Sequence, residues 1–249
     1  MSERPDRMGL LVTLILGSFF LVGALIVKGS KNKEKMEHIS IAVAFGALIA
    51  ILAFDLIPEV ISEYSFSTFL IPLASTAAGI LLLKIVDIFV PEEHNHSKDT
   101  ETEENREHIG FIAAIAIILH NILEGMTVYT VAMASASMGL SLSIGVGLHN
   151  IPMGMLIYST LERDNKARRY VIMALSTLST FFGGIIMMTL EGIITELLVG
   201  ILLCITIGMV LYILLLELLP PVIHYPDRKS TVIYSVIGLA LVFLCSFLE

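Results

Sequence analysis

The sequence has no tryptophan, only two cysteines and few charged residues. Cys204 and Cys245 both lie in long apolar stretches, which excludes a secreted domain held together by disulfide bonds. Charged residues make up 15% of the chain, whereas a soluble domain carries about 25%. The net charge of −8 also argues against nucleic acid as a partner, because phosphate binding needs a basic face.

Long hydrophobic runs dominate what is present, with 56% hydrophobic residues and a mean hydropathy of +0.87. A membrane-spanning helix needs about 20 mostly apolar residues. These runs are too long and too apolar for the alternating strands of a membrane barrel. We therefore expect an all-α polytopic membrane protein, with residues 1–249 as a single transmembrane domain of eight helices. The predicted spans are 8–27, 39–58, 64–90, 108–132, 138–160, 170–190, 195–219 and 230–248.

Basic residues concentrate in alternate loops between these spans. Four lysines lie within 28–35 and four basic residues within 163–169, whereas the stretches 60–63, 133–137 and 191–194 contain neither lysine nor arginine. By the positive-inside rule, the basic loops are cytoplasmic and both termini lie outside the cytoplasm. The compact chain with short loops suits a bacterial inner (cell) membrane.

The longest polar connection, residues 91–107, predicts a flexible and acidic cytoplasmic loop. His94 and His96 lie in it, beside acidic residues. The loop could collect metal ions weakly, or it could be an ordinary solvated linker, and the spacing leaves both interpretations open.

Two short motifs each occur twice. His120-Asn-Ile-Leu-Glu-Gly125 matches His149-Asn-Ile-Pro-Met-Gly154, and Asp55-Leu-Ile-Pro-Glu-Val60 matches Glu217-Leu-Leu-Pro-Pro-Val222. The second pair ends helices 2 and 7, which run in opposite directions. We therefore predict a 3+2+3 inverted-repeat bundle with helices 4 and 5 central, a common plan for transporters with a midplane site.

The fourth and fifth spans carry polar side chains at membrane depth. Residues three or four apart share a helix face, which groups His120 with Glu124 and His149 with Met153. A buried carboxylate costs about 2.5–3.5 kcal/mol even on the mildest scale, and a bound divalent cation would offset this cost. Alternatively, these groups only hydrogen-bond the two helices together. The candidate ligands are His120, Asn121, Glu124, His149, Asn150 and Met153.

These motifs resemble those of the ZIP (Zrt/Irt-like) family of divalent metal transporters over residues 8–248. The resemblance rests on His120, Asn121, Glu124 and Gly125, on His149, Asn150, Pro152 and Gly154, and on the ends of helices 2 and 7. It implies eight spans and transport of Zn²⁺ toward the cytoplasm, with Cd²⁺, Fe²⁺ and Mn²⁺ as further candidates. It also implies a homodimer in the lipid bilayer, with no enzymatic activity and no prosthetic group.

Two departures from the family pattern bear on the number of metal ions. Met153 replaces a carboxylate that many relatives carry, and the helix 6 stretch 176–181 lacks a Glu-Pro pair that relatives often have. We therefore expect one principal metal site, formed by His120, Glu124 and His149 with Asn121, Asn150 and Asp55 around it. Met153 is either a soft ligand that favours Zn²⁺ or Cu⁺ over Mn²⁺, or a space-filling residue.

Acidic residues at the span ends suggest an ion path. Glu59 and Glu63, beyond Asp55, are candidates for an acidic entrance that concentrates cations. Asp87, Glu217, His94 and His96 are candidates for the exit side, although each terminal acid could equally be an interface anchor. Two other classes stay open, namely a non-transporting metal sensor of the same fold and an intramembrane metalloenzyme.

Overall fold

The computed structural model describes residues 3–64, 69–89, 98–161, 165–190 and 193–245. In these ranges all regular secondary structure is helical. Eight helices are long and apolar enough to cross a membrane. The prediction of an all-α multi-pass membrane protein with eight spanning helices is therefore confirmed.

We name the eight helices α1 to α8 in chain order, counting a helix with an internal π-helical turn as one. They are α1 (Glu3–Gly29), α2 (Lys33–Ala50, Ile51–Leu56 and Ile57–Glu63), α3 (Leu70–Phe89), α4 (Lys98–Ala134), α5 (Ala136–Thr160), α6 (Lys166–Leu190), α7 (Glu196–Tyr212, Ile213–Leu218 and Leu219–His224) and α8 (Arg228–Cys245).

Helix α4 begins well before the apolar span that the sequence places from residue 108. The structure has helix from Lys98 onward, so α4 includes part of the stretch 91–107. Glutamate, lysine and arginine are good helix formers, so a polar sequence can extend a helix that apolar packing anchors further along. His94 and His96 lie outside the described residues, and the flexibility of 91–107 stays a prediction.

Helices α2 and α7 each contain one π-helical turn at matching places. The backbone N–H of Ile57 donates to the carbonyl of Leu52, and that of Leu219 donates to the carbonyl of Leu214. A proline lies two residues after the end of each turn and cannot donate a hydrogen bond, which loosens the helical ladder there. π-Turns often occur at functional sites, and these two contain Asp55 and Glu217.

The helix contacts repeat with the symmetry that the sequence predicts. The α1 helix packs against α5 as α6 packs against α4, and α2 packs against α8 as α7 packs against α3. Exchanging α1–α3 with α6–α8, and α4 with α5, converts each of these contacts into its counterpart. The 3+2+3 arrangement thus places α4 and α5 against each other between the two repeats.

Matching glycines bring the central pair close to its neighbours. A Cβ atom at Gly125 of α4 would collide with the carbonyl oxygen of Thr180 in α6, and one at Gly154 of α5 would collide with that of Phe20 in α1. Small residues permit such close backbone approach in membranes. Because Gly125 directly follows Glu124, this contact also fixes the position of that carboxylate.

Candidate metal site

The polar side chains of α4 and α5 lie deep in the membrane-spanning part. At 1.5 Å per residue, His120 lies about 20 Å from the start of its span at Glu107, and His149 lies about 20 Å from the start of α5 at Ala136. The two helices are joined at Ser135, whose side chain accepts a hydrogen bond from the backbone N–H of Met138 and caps α5. This antiparallel hairpin brings the two histidines to the same depth.

Glu124 is the centre of this cluster. Its Oε1 lies 2.6 Å from Nε2 of His149 and 3.7 Å from Nε2 of His120, and the Nδ2 group of Asn150 donates to its Oε2 at 3.3 Å. The Glu124 and His149 side chains are only 8% and 2% exposed. The carboxylate is therefore held by donors and ring nitrogens rather than by water, which offsets part of its desolvation cost.

We call His120, Glu124 and His149 the central cluster. Each can offer one ligand atom, and these atoms lie within 4.8 Å of one another. Among the described residues, Nε2 of His120 and the Oδ1 atoms of Asn121 and Asn150 are buried with no hydrogen-bond partner. Buried acceptors without a donor are costly unless something binds them, and a cation does so. Two imidazoles and a carboxylate form a donor set that suits Zn²⁺.

A cavity of about 170 Å³ adjoins the central cluster. Asp55 and Glu59 of α2 line it together with His120 and Glu124. Asp55 is half-buried and Glu59 is exposed, so acidity extends from the end of α2 down to the cluster. The side chain of Glu63 lies outside the described residues.

Met153 and the neighbouring part of α6 are neutral. Met153 is 2% exposed and belongs to the hydrophobic core, so its role as a ligand stays a prediction. Asn121 turns toward α6, where its Nδ2 group donates to the carbonyl of Ser176 at 3.4 Å. The Ser176 hydroxyl is buried without a partner among the described residues. Asn121 thus faces α6, and Met153 packs in the hydrophobic core.

A second group of potential metal-ligand side chains lies toward the C-terminal ends of α3 and α7. Asp87 of α3, His108 of α4 and Glu217 of α7 can also offer ligand atoms within 4.8 Å of one another, and we call them the terminal cluster. Nε2 of His108 lies 2.5 Å from Oδ1 of Asp87, and the Tyr212 hydroxyl donates to Oδ2 of Asp87 at 2.6 Å. A cavity of about 670 Å³ adjoins it.

Sequence reasoning placed Asp87 and Glu217 together on the exit side but missed His108 as a site residue. The three residues come from three helices and are far apart in the chain, so no local spacing connects them. The available indication was that His108 begins an apolar span, as Asp87 ends one.

Comparison with known proteins agrees with this architecture. The family described as ZIP Zinc transporter matches residues 90–246. The zinc transporter ZupT of Xanthomonas campestris pv. campestris is 30% identical over 245 residues, covering 92% of this chain and 90% of the relative. ZupT of Streptococcus mutans is 27% identical over 256 residues, covering 96% of each chain.

The match to ZupT of Stenotrophomonas maltophilia is shorter, with 25% identity over 146 residues, and the chain there spans 54% of the relative's length. The family and the relatives are named as transporters, in agreement with the expectation that the protein is not an enzyme. The matched region includes both histidine motifs of α4 and α5. The chain therefore belongs to the ZIP zinc transporter family.

Proposed function

We propose that the protein transports Zn²⁺ across a cell membrane toward the cytoplasm, and that the ion binds at the central cluster on the way. The observation that carries this proposal is the convergence of His120, Glu124 and His149 at membrane depth, with ligand atoms within 4.8 Å. The names of the ZupT relatives support zinc as the cargo.

The ligand number suits an ion that must be released again. Zinc prefers four ligands, and sites with three protein ligands keep one position open. A cavity lined by Asp55 adjoins the cluster, so an arriving ion would have water or a carboxylate to exchange there. A site that is incomplete in this way binds tightly enough to select the ion and weakly enough to release it.

The terminal cluster fits a release station. Asp87, His108 and Glu217 combine one imidazole with two carboxylates beside a larger cavity, so the ion would find oxygen-rich ligands and water there. The Tyr212 hydroxyl holds one oxygen of Asp87 and leaves the other near His108. The ion would therefore pass from a nitrogen-rich site to an oxygen-rich site as it approaches the cytoplasm.

We further propose that the central cluster binds a single ion. Met153 supplies no carboxylate, and α6 contributes neutral serines and threonines near Asn121. A second divalent ion on the α6 side of the cluster would lack charge compensation. The homodimer and the use of Cd²⁺, Fe²⁺ or Mn²⁺ stay predictions from the family resemblance. The inner membrane stays a prediction from the compact chain with short loops.

Zinc uptake into proteoliposomes tests the function directly. The purified protein should accumulate Zn²⁺ in vesicles containing a zinc indicator. The degree to which excess Cd²⁺, Fe²⁺, Mn²⁺ or Cu⁺ inhibits this uptake ranks the competing ions. Glu124→Gln should lower uptake about 100-fold or more, since even partners behind the ligands contribute 10–100-fold to metal affinity. Asp227→Asn, in the exposed loop between α7 and α8, is the matched control and should transport normally.

Full uptake by Glu124→Gln would exclude the central cluster as the path. No uptake by the unaltered protein, with Zn²⁺ still bound, would instead favour the metal-sensor alternative. A titration by calorimetry should give one ion at the central cluster, and two ions there would contradict the single-site proposal.

The direction of transport depends on membrane orientation, which cysteine labelling tests. Lys31→Cys lies between α1 and α2, and Ser62→Cys lies at the far end of α2, both at exposed positions. In intact cells, a membrane-impermeant maleimide should label only Ser62→Cys, because the lysine-rich loop is predicted to be cytoplasmic. The native cysteines are both buried and give little background. Labelling of Lys31→Cys alone would show that the membrane orientation is opposite to the predicted one.

A further inference from the structure

An apolar groove lies on the outer surface of the bundle, and no residue of either cluster is among the described residues that line it. It has a volume of about 450 Å³ and runs between α2 and α8, closed at one end by the last turn of α7. Apolar side chains form most of its walls, among them Phe45, Ile49, Val232, Val236 and Leu239. Its floor lies where α8 passes close to Gly46, since a Cβ atom there would collide with the carbonyl oxygen of Ser235.

The length of the groove corresponds to one leaflet of a bilayer. Its lining residues on α8 extend from Arg228, the first residue of that helix, to Leu239. At 1.5 Å per residue, this is about 16 Å. Half of a hydrocarbon core about 30 Å thick is nearly the same length. The groove thus extends from the headgroup level to near the bilayer centre, as a phospholipid acyl chain does.

The charge at the mouth of the groove is basic. Arg228 lines the mouth, is exposed, and forms no ion pair with any residue that the structure describes. Lys229 follows it, and His224 lies on the other side of the mouth with Nδ1 engaged by the carbonyl of Pro220. The nearby Asp227 does not line the groove, and its Oδ1 accepts a hydrogen bond from the backbone N–H of Ser230. No carboxylate is among the described residues that line it.

One polar atom inside the groove has no partner. The hydroxyl of Ser235 is buried without a hydrogen-bond partner among the described residues, although its neighbours on the groove wall are apolar. An arginine at the headgroup level can pair with a phosphate, which its planar guanidinium matches well.

We propose that this groove is a binding site for one anionic phospholipid, with an acyl chain between α2 and α8 and the phosphate at Arg228. None of the described residues that line the groove belongs to the central or terminal cluster, and the groove borders the cavity of the terminal cluster only at His224. The basic end also lies on the side that the sequence predicts to be cytoplasmic, where anionic lipids concentrate. The lipid would brace α8 against α2.

Native mass spectrometry of the detergent-solubilised protein tests the proposal with two probes, dioleoyl phosphatidylglycerol and dioleoyl phosphatidylcholine. We expect one retained phosphatidylglycerol per chain and a clear preference over phosphatidylcholine. Arg228→Gln should reduce that preference about fivefold, in line with the contribution of one basic residue near a charged lipid. Lys229→Gln, which changes the same charge outside the groove lining, is the control and should change it less.

Blocking the groove gives a second, independent measurement. Val236→Trp should lower retention of both lipids about tenfold, the loss expected when two methylenes of the chain are displaced. Ile237→Trp is the matched control, since this neighbouring position is exposed on α8 but does not line the groove. Both variants remain interpretable if each still binds Zn²⁺ like the parent protein.

Equal retention of the two lipids, or retention unchanged by both Arg228→Gln and Val236→Trp, would overturn the proposal. If Val236→Trp but not Ile237→Trp dissociates a dimer while lipid retention stays the same, the groove belongs to a subunit interface and the proposal is wrong.

Discussion

The central and terminal clusters contain the same kinds of side chains but differ in composition, burial and origin. The central cluster has two imidazoles and one carboxylate from the adjacent helices α4 and α5, whereas the terminal cluster has one imidazole and two carboxylates from α3, α4 and α7. Glu124 and Glu217 are both nearly buried, with exposed fractions of 8% and 9%, whereas Asp87 is 27% exposed. The adjoining cavities measure about 170 and 670 Å³.

This difference follows from the cost of charge at different depths. A carboxylate near the bilayer centre needs more compensation than one near the interface, and the central cluster has only one. Nearer the helix ends, the larger cavity has room for water, so two carboxylates can coexist there. A nitrogen-rich buried site suits selection of Zn²⁺, and a wetter oxygen-rich site suits its release.

The largest effect on zinc uptake is expected when one histidine is removed from each cluster in turn. His149→Ala should lower zinc uptake about 100-fold, because a buried ligand is lost and Glu124 also loses a 2.6 Å contact. His108→Ala should lower uptake less than about tenfold, since water can replace an imidazole in the larger cavity. Asp227→Asn, at an exposed position that lines neither cavity, is the control. Equal losses in the two clusters would end the distinction between selection and release.

Neutralising the terminal carboxylates separates transport from binding. The double variant Asp87→Asn and Glu217→Gln should lower uptake about tenfold while the affinity of the central cluster for Zn²⁺ changes less than about twofold. Uptake assays and calorimetry on the same preparations provide both numbers. A parallel loss of affinity would mean that the two clusters do not act separately.

Glycine substitutions test whether packing positions each cluster. Gly125→Ala should destabilise the α4–α6 contact, and Gly208→Ala the α3–α7 contact where a Cβ atom would collide with the carbonyl oxygen of Thr76. Overpacking of this kind costs about 1–3 kcal/mol. Thermal unfolding in detergent measures it. Gly29→Ala, where a Cβ atom meets open space, should leave the unfolding temperature unchanged.

If packing positions the ligands, Gly125→Ala should also weaken zinc binding at the central cluster, whereas Gly208→Ala should leave it intact. Loss of stability in both variants with unchanged zinc affinity would show that the glycines only hold the bundle together.

The smallest expected effect concerns the hydrogen bond from Tyr212 to Asp87. Tyr212→Phe removes the 2.6 Å contact and should lower the free energy of unfolding by about 1 kcal/mol, as for a single hydrogen bond. The effect on uptake should be smaller than that of the double carboxylate variant. Tyr234→Phe, whose ring packs edge-on against His38, is the control for loss of a tyrosine hydroxyl. An uptake loss as large as that of the double variant would make the tyrosine an essential part of the release station.

Local patterns in the sequence were sufficient to predict the eight spans, the inverted repeat and the pairing of His120 with Glu124. Hydrophobic length predicts a spanning helix because every backbone polar group must be satisfied within the membrane. Helical periodicity predicts that residues four apart share a face. These properties depend only on residues that are close together in the chain, so the amino-acid sequence alone is sufficient to predict them.

The tertiary structure decided which distant helices meet. Only folding brings His108 beside Asp87 and Glu217, places a cavity at Asp55 and forms the apolar groove between α2 and α8. In a membrane most helix surfaces are apolar whether they face lipid or protein. Hydrophobicity therefore cannot identify the packed face, and contacts such as that of Gly125 with the Thr180 carbonyl determine it.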